Sequence, residues 1–228
     1  MGSIPDNLQA VKARIASAAR AAGRDPGAVS LLAVSKTHPA ARVEAAVRAG
    51  QLAFGENYVQ EALDKMTPLA ALPLEWHLVG PLQSNKTRPV AERFDWVHSI
   101  DREKLARRLS EQRPAGKAPL NVLIQVNASG ESSKSGVAPE ETSGLAAVLA
   151  TMKNLRLRGL MAIPEPGAPA ERYRRIGELY ERLRGEHGLD TLSLGMSEDL
   201  EAAIAAGSTM VRIGTAIFGP RARVRDAA

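Results

Sequence analysis

Leu31-Leu-Ala-Val-Ser-Lys-Thr-His-Pro39 decides between two architectures. The stretch opens as a short apolar strand, and residues 40–49 after it carry Ala, Arg, Val and Glu at helical spacing. A strand feeding a helix begins a parallel sheet, either open or closed. An open doubly wound sheet usually has a glycine-rich phosphate loop at this first turn. Here the turn is Lys36-Thr-His-Pro39, without glycine. The closed barrel is the preferred reading and the open sheet the runner-up.

Working outward, the same pattern recurs eight times. Strand-like segments rich in Val, Ile and Leu lie at 31–35, 52–55, 76–79, 96–99, 120–126, 157–162, 191–195 and 210–214. Helical patterns lie at 6–22, 40–49, 58–69, 84–91, 102–113, 139–152, 168–187 and 198–206. The spacing predicts an α/β fold, a single (β/α)₈ TIM barrel over residues 1–228, with an extra N-terminal helix on the outside or bottom. Such barrels typically take ~250 residues, so this one is compact. Asp6 is the expected N-cap of the first helix and Asp101 that of 102–113. Gly23, Gly50 and Gly207 stand just past helices, where a left-handed residue is wanted. Residues 127–137 form the longest flexible loop beside the barrel mouth.

Composition narrows the function classes. The 228 residues contain no Cys, so disulfides and thiolate metal sites are excluded. The four His are scattered without metal-ligand spacing, and no metal is expected. No apolar run approaches the ~20 residues of a membrane span. The start, Met-Gly-Ser-Ile-Pro-Asp, has no signal core, and Asp6 stands where a myristoylation motif wants Ser or Thr. A cytoplasmic, monomeric protein is expected. The net charge of +5 is dispersed among acids, and 4% aromatic residues offer no stacking platform for nucleic acid.

Barrel active sites lie at the C-terminal strand ends. Lys36 follows the first strand directly, and burial or a nearby cation would lower its pKa and make the amine a nucleophile. The plainer reading is a strand-end lysine that reaches water or pairs with Glu56. Ser197 precedes a helix beginning Glu-Asp-Leu and is positioned to cap it, where free N–H groups favour a phosphate. Gly214-Thr215 ends the eighth strand with room for an anion and a hydroxyl. Phosphate sites at strands seven and eight recur in these barrels, and strand eight neighbours strand one. By alternation Arg212 shares the inward face with Gly214. His77 reads as a structural histidine. Gln83, Asn85, Lys86 and Arg88 line the mouth or form a solvated helix start, and Lys134 is a possible second amine in the loop.

These residues sit in blocks that resemble the pyridoxal phosphate homeostasis protein family. The blocks are Ala33-Val-Ser-Lys-Thr-His-Pro39, Phe54-Gly-Glu-Asn-Tyr-Val-Gln-Glu61, Trp76-His-Leu-Val-Gly-Pro-Leu-Gln-Ser-Asn-Lys-Thr-Arg88, Val126-Asn127 with Glu131, Lys134 and Gly136, Gly159-Leu-Met-Ala-Ile-Pro164, and 195–200 through 207–219. The resemblance implies a barrel similar to the N-terminal domain of alanine racemase, the fold-type III pyridoxal phosphate architecture. It implies pyridoxal 5′-phosphate held as a covalent imine by Lys36, with contacts from Asn57, Ser197, Arg212, Gly214 and Thr215.

The resemblance also places Arg212 near the pyridine nitrogen. A guanidinium there can only donate, which leaves that nitrogen unprotonated and weakens the ring as an electron sink. Alanine racemase-like enzymes add a second β domain that supplies a catalytic tyrosine, whereas this sequence stops at Ala228. The expectation is therefore a non-catalytic carrier, without catalytic residues. It would buffer the cofactor for vitamin B6 and amino-acid balance and pass it to apo-enzymes. The alternatives are a small fold-type III racemase, a cofactor-free Schiff-base aldolase using Lys36, and a nucleic-acid-binding module.

Overall fold

The computed structural model describes residues 2–129 and 135–220. Its strands are β1 (Ser30–Val34), β2 (Ala53–Glu56), β3 (Glu75–Leu78), β4 (Trp96–Ile100), β5 (Leu120–Val126), β6 (Leu155–Ala162), β7 (Thr191–Ser193) and β8 (Met210–Ile213). All are parallel and close in sequence order into a barrel. Closure pairs β1 with β8, setting Leu32 beside Arg212 and Ala33 beside Ile213. This pairing brings the chain after β1 next to the chain after β8.

The helices are α1 (Ile4–Ala21), α2 (Ala40–Arg48), α3 (Val59–Met66), α4 (Thr87–Arg93), α5 (Glu103–Gln112), α6 (Thr142–Ala150), α7 (Ala170–His187), α8 (Leu200–Ala205) and α9 (Thr215–Phe218). Helix α1 precedes the barrel and packs on its outside against α8, α9 and α2. No helix of the described residues is long and apolar enough to cross a membrane.

Period-two alternation divides each strand between two environments. Ala33, Phe54, Leu78, Val97, Ile124, Leu192 and Ile213 join helix residues such as Leu8, Val43 and Leu109 in the main core. Leu32, Val34, Val79 and Met210 form a separate cluster inside the barrel, as do Trp96, Leu123 and Met161. Between these two interior patches the lining is polar. His77, His98, Ser193 and Arg212 are all buried there.

Several local expectations need correction. Ser3, not Asp6, caps α1; Asp6 is the third residue of a capping box in which the Ser3 hydroxyl accepts from the Asp6 N–H. Asp101 does not cap α5: Arg102 takes that position and pairs with the Asp101 carboxylate at 2.6 Å. The segment 84–91 divides into a 3₁₀ turn (Ser84–Lys86) and α4. Helix α3 stops at Met66, because Pro68 has no N–H to extend the ladder. Gly23, Gly50 and Gly207 do take positive φ just after their helices. Residues 130–134, including Glu131 and Lys134, lie outside the described residues.

Candidate functional site

A cavity of about 530 Å³ opens at the C-terminal mouth of the barrel. This is within the range of about 300–1,000 Å³ that small-molecule sites occupy. Its lining includes Lys36, Asn57, Ser197, Arg212, Gly214 and Thr215, so all six sequence-chosen residues share one wall system. It also includes residues the sequence reading missed, chiefly Tyr173 from α7 and Asp199 just before α8. Gln83, Asn85, Lys86 and Arg88 do not line it, and all four are solvent-exposed.

Lys36 sits half-buried in a tight turn closed by the His38 N–H donating to the Ser35 carbonyl at 3.1 Å. Thr37, at the third position of that turn, has φ of 65°. A positive φ is normal for glycine there and costs a residue such as Thr about 1–2 kcal/mol. A network on the outer face of the sheet compensates. Lys65 of α3 donates to the Ser35 carbonyl, Glu56 Oε1 and Glu61 Oε1, each at 2.7 Å. Glu61 Oε1 also accepts from the Thr37 N–H, and the Ser35 hydroxyl donates to Glu56 at 2.6 Å. Glu56 therefore pairs with Lys65, across the strand from Lys36. Burial pushes the Glu56 carboxyl above the usual range, against the pull of Lys65.

On the opposite wall, Ser197 is not a helix cap, which corrects the sequence expectation. Asp199 takes the N-cap position of α8, and Ser197 lies in the turn before it. Asp199 Oδ1 accepts from the Met196 N–H at 2.5 Å, and Asp199 Oδ2 accepts from the Tyr173 hydroxyl at 2.8 Å. Arg14 of α1 reaches the same turn and donates to the Ser197 carbonyl at 2.7 Å, while gripping Glu201 through Nε and Nη2. Gly195 lets the turn lie down on α8. Its φ is 97°, and a Cβ there would stand 2.5 Å from that of Ala203. The hydroxyls of Ser197 and Thr215 make no hydrogen bond among the described residues. Both line the cavity.

Arg212, which also lines the cavity, is buried. Its Nη1 donates to the Ser193 carbonyl at 2.7 Å and to the Ser193 hydroxyl at 2.8 Å. Its Nη2 donates to the Ala162 carbonyl at 2.9 Å. A guanidinium has five N–H donors, so the Nε–H and one Nη2–H make no hydrogen bond among the described residues. Burial pulls the Arg212 pKa down to about 10, so it stays cationic at neutral pH.

Asn57 ends the inward face of β2. Its backbone is fixed by Gly80, where a Cβ would stand 2.2 Å from the Asn57 carbonyl oxygen. Tyr173 carries no sequence signal beyond an aromatic residue among the arginines of 172–175. Burial and the bond to Asp199 push its phenol well above the usual range, so it remains protonated. No cluster of His, Asp or Glu among the described residues is arranged to hold a metal ion.

A family model described as the alanine racemase N-terminal domain matches residues 7–222. The pyridoxal phosphate homeostasis protein of Pseudomonas aeruginosa is 62% identical over 223 residues, 97% of each chain. The Escherichia coli protein of that name is 55% identical over 229 residues, 97% of this chain and 98% of that one. Among solved structures, PipY of Synechococcus elongatus with PLP bound has a TM-score of 0.82 at 35% identity. The match covers 95% of this chain and all of that one.

Proposed function

The chain belongs to the alanine racemase N-terminal domain family and, within it, to the pyridoxal phosphate homeostasis proteins, and from that premise we propose that it carries pyridoxal 5′-phosphate as a reversible Schiff base on Lys36. It holds the cofactor in the cytoplasm, as a monomeric single-domain barrel, and releases it to apo-enzymes. The observation that carries this reading is the single cavity that joins Lys36 to Ser197, Gly214, Thr215 and Arg212.

The donor set fits the group. Two uncommitted hydroxyls suit a phosphate, and a primary amine on the adjoining wall suits an aldehyde. Two spare guanidinium donors suit a ring nitrogen that accepts. Bound pyridoxal phosphate supplies an electrophilic carbonyl carbon and an electron-poor ring. Ser197 and Thr215 would hold the phosphate, and Gly214 keeps the backbone close to it. Arg212 would donate to the ring nitrogen and so keep it unprotonated. Asn57, which lines the same cavity, would contact the bound group.

Two features favour holding over turnover. Tyr173, the phenol nearest the cavity, is committed to Asp199 with a raised pKa, the wrong direction for a general base near neutral pH. The mouth is also rimmed by exposed side chains, including Ile163 and Met196. The presence of Tyr173 and Asp199 in the cavity supports a second reading, a small racemase. An amino-acid panel separates the two. The carrier shows no racemisation above that of free cofactor while transferring its load to an apo-enzyme faster than it loses it to buffer. Robust turnover would establish the racemase instead.

A further inference from the structure

Arg212 raises a problem of charge. It is buried inside the barrel, and among the described residues no carboxylate hydrogen-bonds or ion-pairs with its guanidinium. A buried cation needs well-oriented acceptors in place of water. Two of its acceptors are carbonyls and fixed by the sheet. The third is the Ser193 hydroxyl, which can rotate, so something must orient it.

The polar interior supplies that orientation. The Ser193 hydroxyl lies 3.1 Å from His98 Nδ1, His98 Nε2 lies 2.9 Å from His77 Nδ1, and His77 Nε2 lies 2.8 Å from Glu75 Oε1. Together with the Arg212 bond, these four contacts run through the barrel from the cavity to its other end. There Glu75 is about half-exposed, beside Arg158 and Asp190. The two ends fix the direction of every bond. A guanidinium only donates, and an ionised carboxylate only accepts. Arg212 must therefore donate to Ser193, Ser193 to His98 Nδ1, His98 Nε2–H to His77, and His77 Nε2–H to Glu75. The reverse order would leave the serine hydroxyl hydrogen without an acceptor.

Both imidazoles must then be neutral and carry their hydrogen on Nε2. Burial agrees with this, holding His77 below the usual imidazole value and His98 well below it. The histidine bond to Glu75 in turn lowers that carboxyl, which keeps it ionised. Trp96 locks the rings in place, stacked on His77 at 5.1 Å and edge-on to His98 at 6.1 Å.

The structure assigns Ser193, His98, His77 and Glu75 to a one-directional chain of hydrogen bonds that positions Arg212 from the far end of the barrel. Only the effect on the bound cofactor rests on the function proposed above; the chain itself does not. These four are positioning residues, since none of them lines the cavity.

The test has two arms on the full chain. In the first, ¹⁵N spectra of histidine are recorded without ligand at neutral pH. His77 and His98 are expected as neutral Nε2–H tautomers, and Glu75→Gln, whose amide can accept or donate, is expected to give mixed tautomers. In the second, protein loaded with pyridoxal phosphate is followed for release. Ser193→Ala and Glu75→Gln are expected to release it about fivefold faster, the size of one ordinary hydrogen bond. Ser193→Thr, which keeps the hydroxyl, is expected to restore the wild-type rate. A charged or Nδ1–H imidazole in the wild type would overturn the chain. So would unchanged release in Glu75→Gln despite altered tautomers. If the wild type takes up no cofactor, the carrier reading fails, and the first arm still decides the chain. If Ser193→Ala does not fold, the Glu75→Gln comparison stands alone.

Discussion

Two buried polar networks hold the cavity from opposite sides, and they differ in what they leave unused. On the outer face of the sheet, Lys65 has three donors and three acceptors, all at 2.7 Å. It is saturated, and its work is to hold the strained turn before α2. Inside the barrel, Arg212, which lines the cavity, spends three of five donors on Ser193 and Ala162 and leaves two without a hydrogen bond among the described residues. Both residues are buried, so what separates the two cations is the number of donors left over, none on Lys65 and two on Arg212.

The largest expected effect breaks the saturated side. Lys65→Met leaves Glu56 and the Ser35 carbonyl without their cation, and denaturant unfolding should show a loss of about 3–5 kcal/mol. A loss below about 1 kcal/mol would mean the outer network is not what holds the turn.

Next in size is a difference in pH response. His77 and His98 are kept neutral by burial, so below about pH 6.5 the unfolded chain binds more protons and stability falls with pH. Each histidine contributes up to about 1.4 kcal/mol per pH unit in that window. Glu56 acts with the opposite sign. Its raised carboxyl favours the folded state at low pH, and that contribution is lost as pH rises from about 4.3 toward the raised value. Thermal unfolding at a series of pH values should show acid destabilisation beginning near 6.5, and Glu56→Gln should deepen it at the acid end. A flat profile from pH 7 to 5 would contradict neutral interior histidines.

Smaller effects sharpen the cavity wall. Tyr173→Phe removes the donor to Asp199 and should cost about 1 kcal/mol in stability. Cofactor transfer should continue if the phenol serves as no base; an amino-acid racemisation activity of the wild type that this variant loses would point to the racemase reading. Arg14→Ala should be smallest, within about 1 kcal/mol, because its ion pair with Glu201 is half-exposed. Its measurable mark should be faster cofactor release, as the Ser197 carbonyl loses its anchor.

Much of this arrangement was legible in the sequence. The alternation of apolar strands and helices, and the glycine-free turn at Lys36, gave the closed barrel. Strand-end position pointed to Lys36, Ser197, Gly214 and Thr215, alternation turned Arg212 inward and the family resemblance added Asn57; all six line one cavity. The unreadable part was of two kinds. Caps and short helices depend on one or two dihedral angles, which is why Ser3, Arg102, Asp199 and α9 departed from expectation. The networks join residues far apart in the chain, such as His98 with Ser193 and Tyr173 with Asp199. Periodicity marks such residues as inward or outward but does not name their partners. Lys65 shows the limit well, because a lysine within an amphipathic helix carries no sign that it will be buried.

The proposed carrier role requires that Lys36, and not another amine, be the attachment point of the cofactor. The direct measurement is borohydride reduction of the loaded protein, followed by peptide mass analysis. A reduced pyridoxyl phosphate adduct is expected on the peptide containing Lys36 and should be absent in Lys36→Ala. An adduct on Lys65, Lys86 or Lys134 instead, or none in a protein that retains the cofactor, would contradict it.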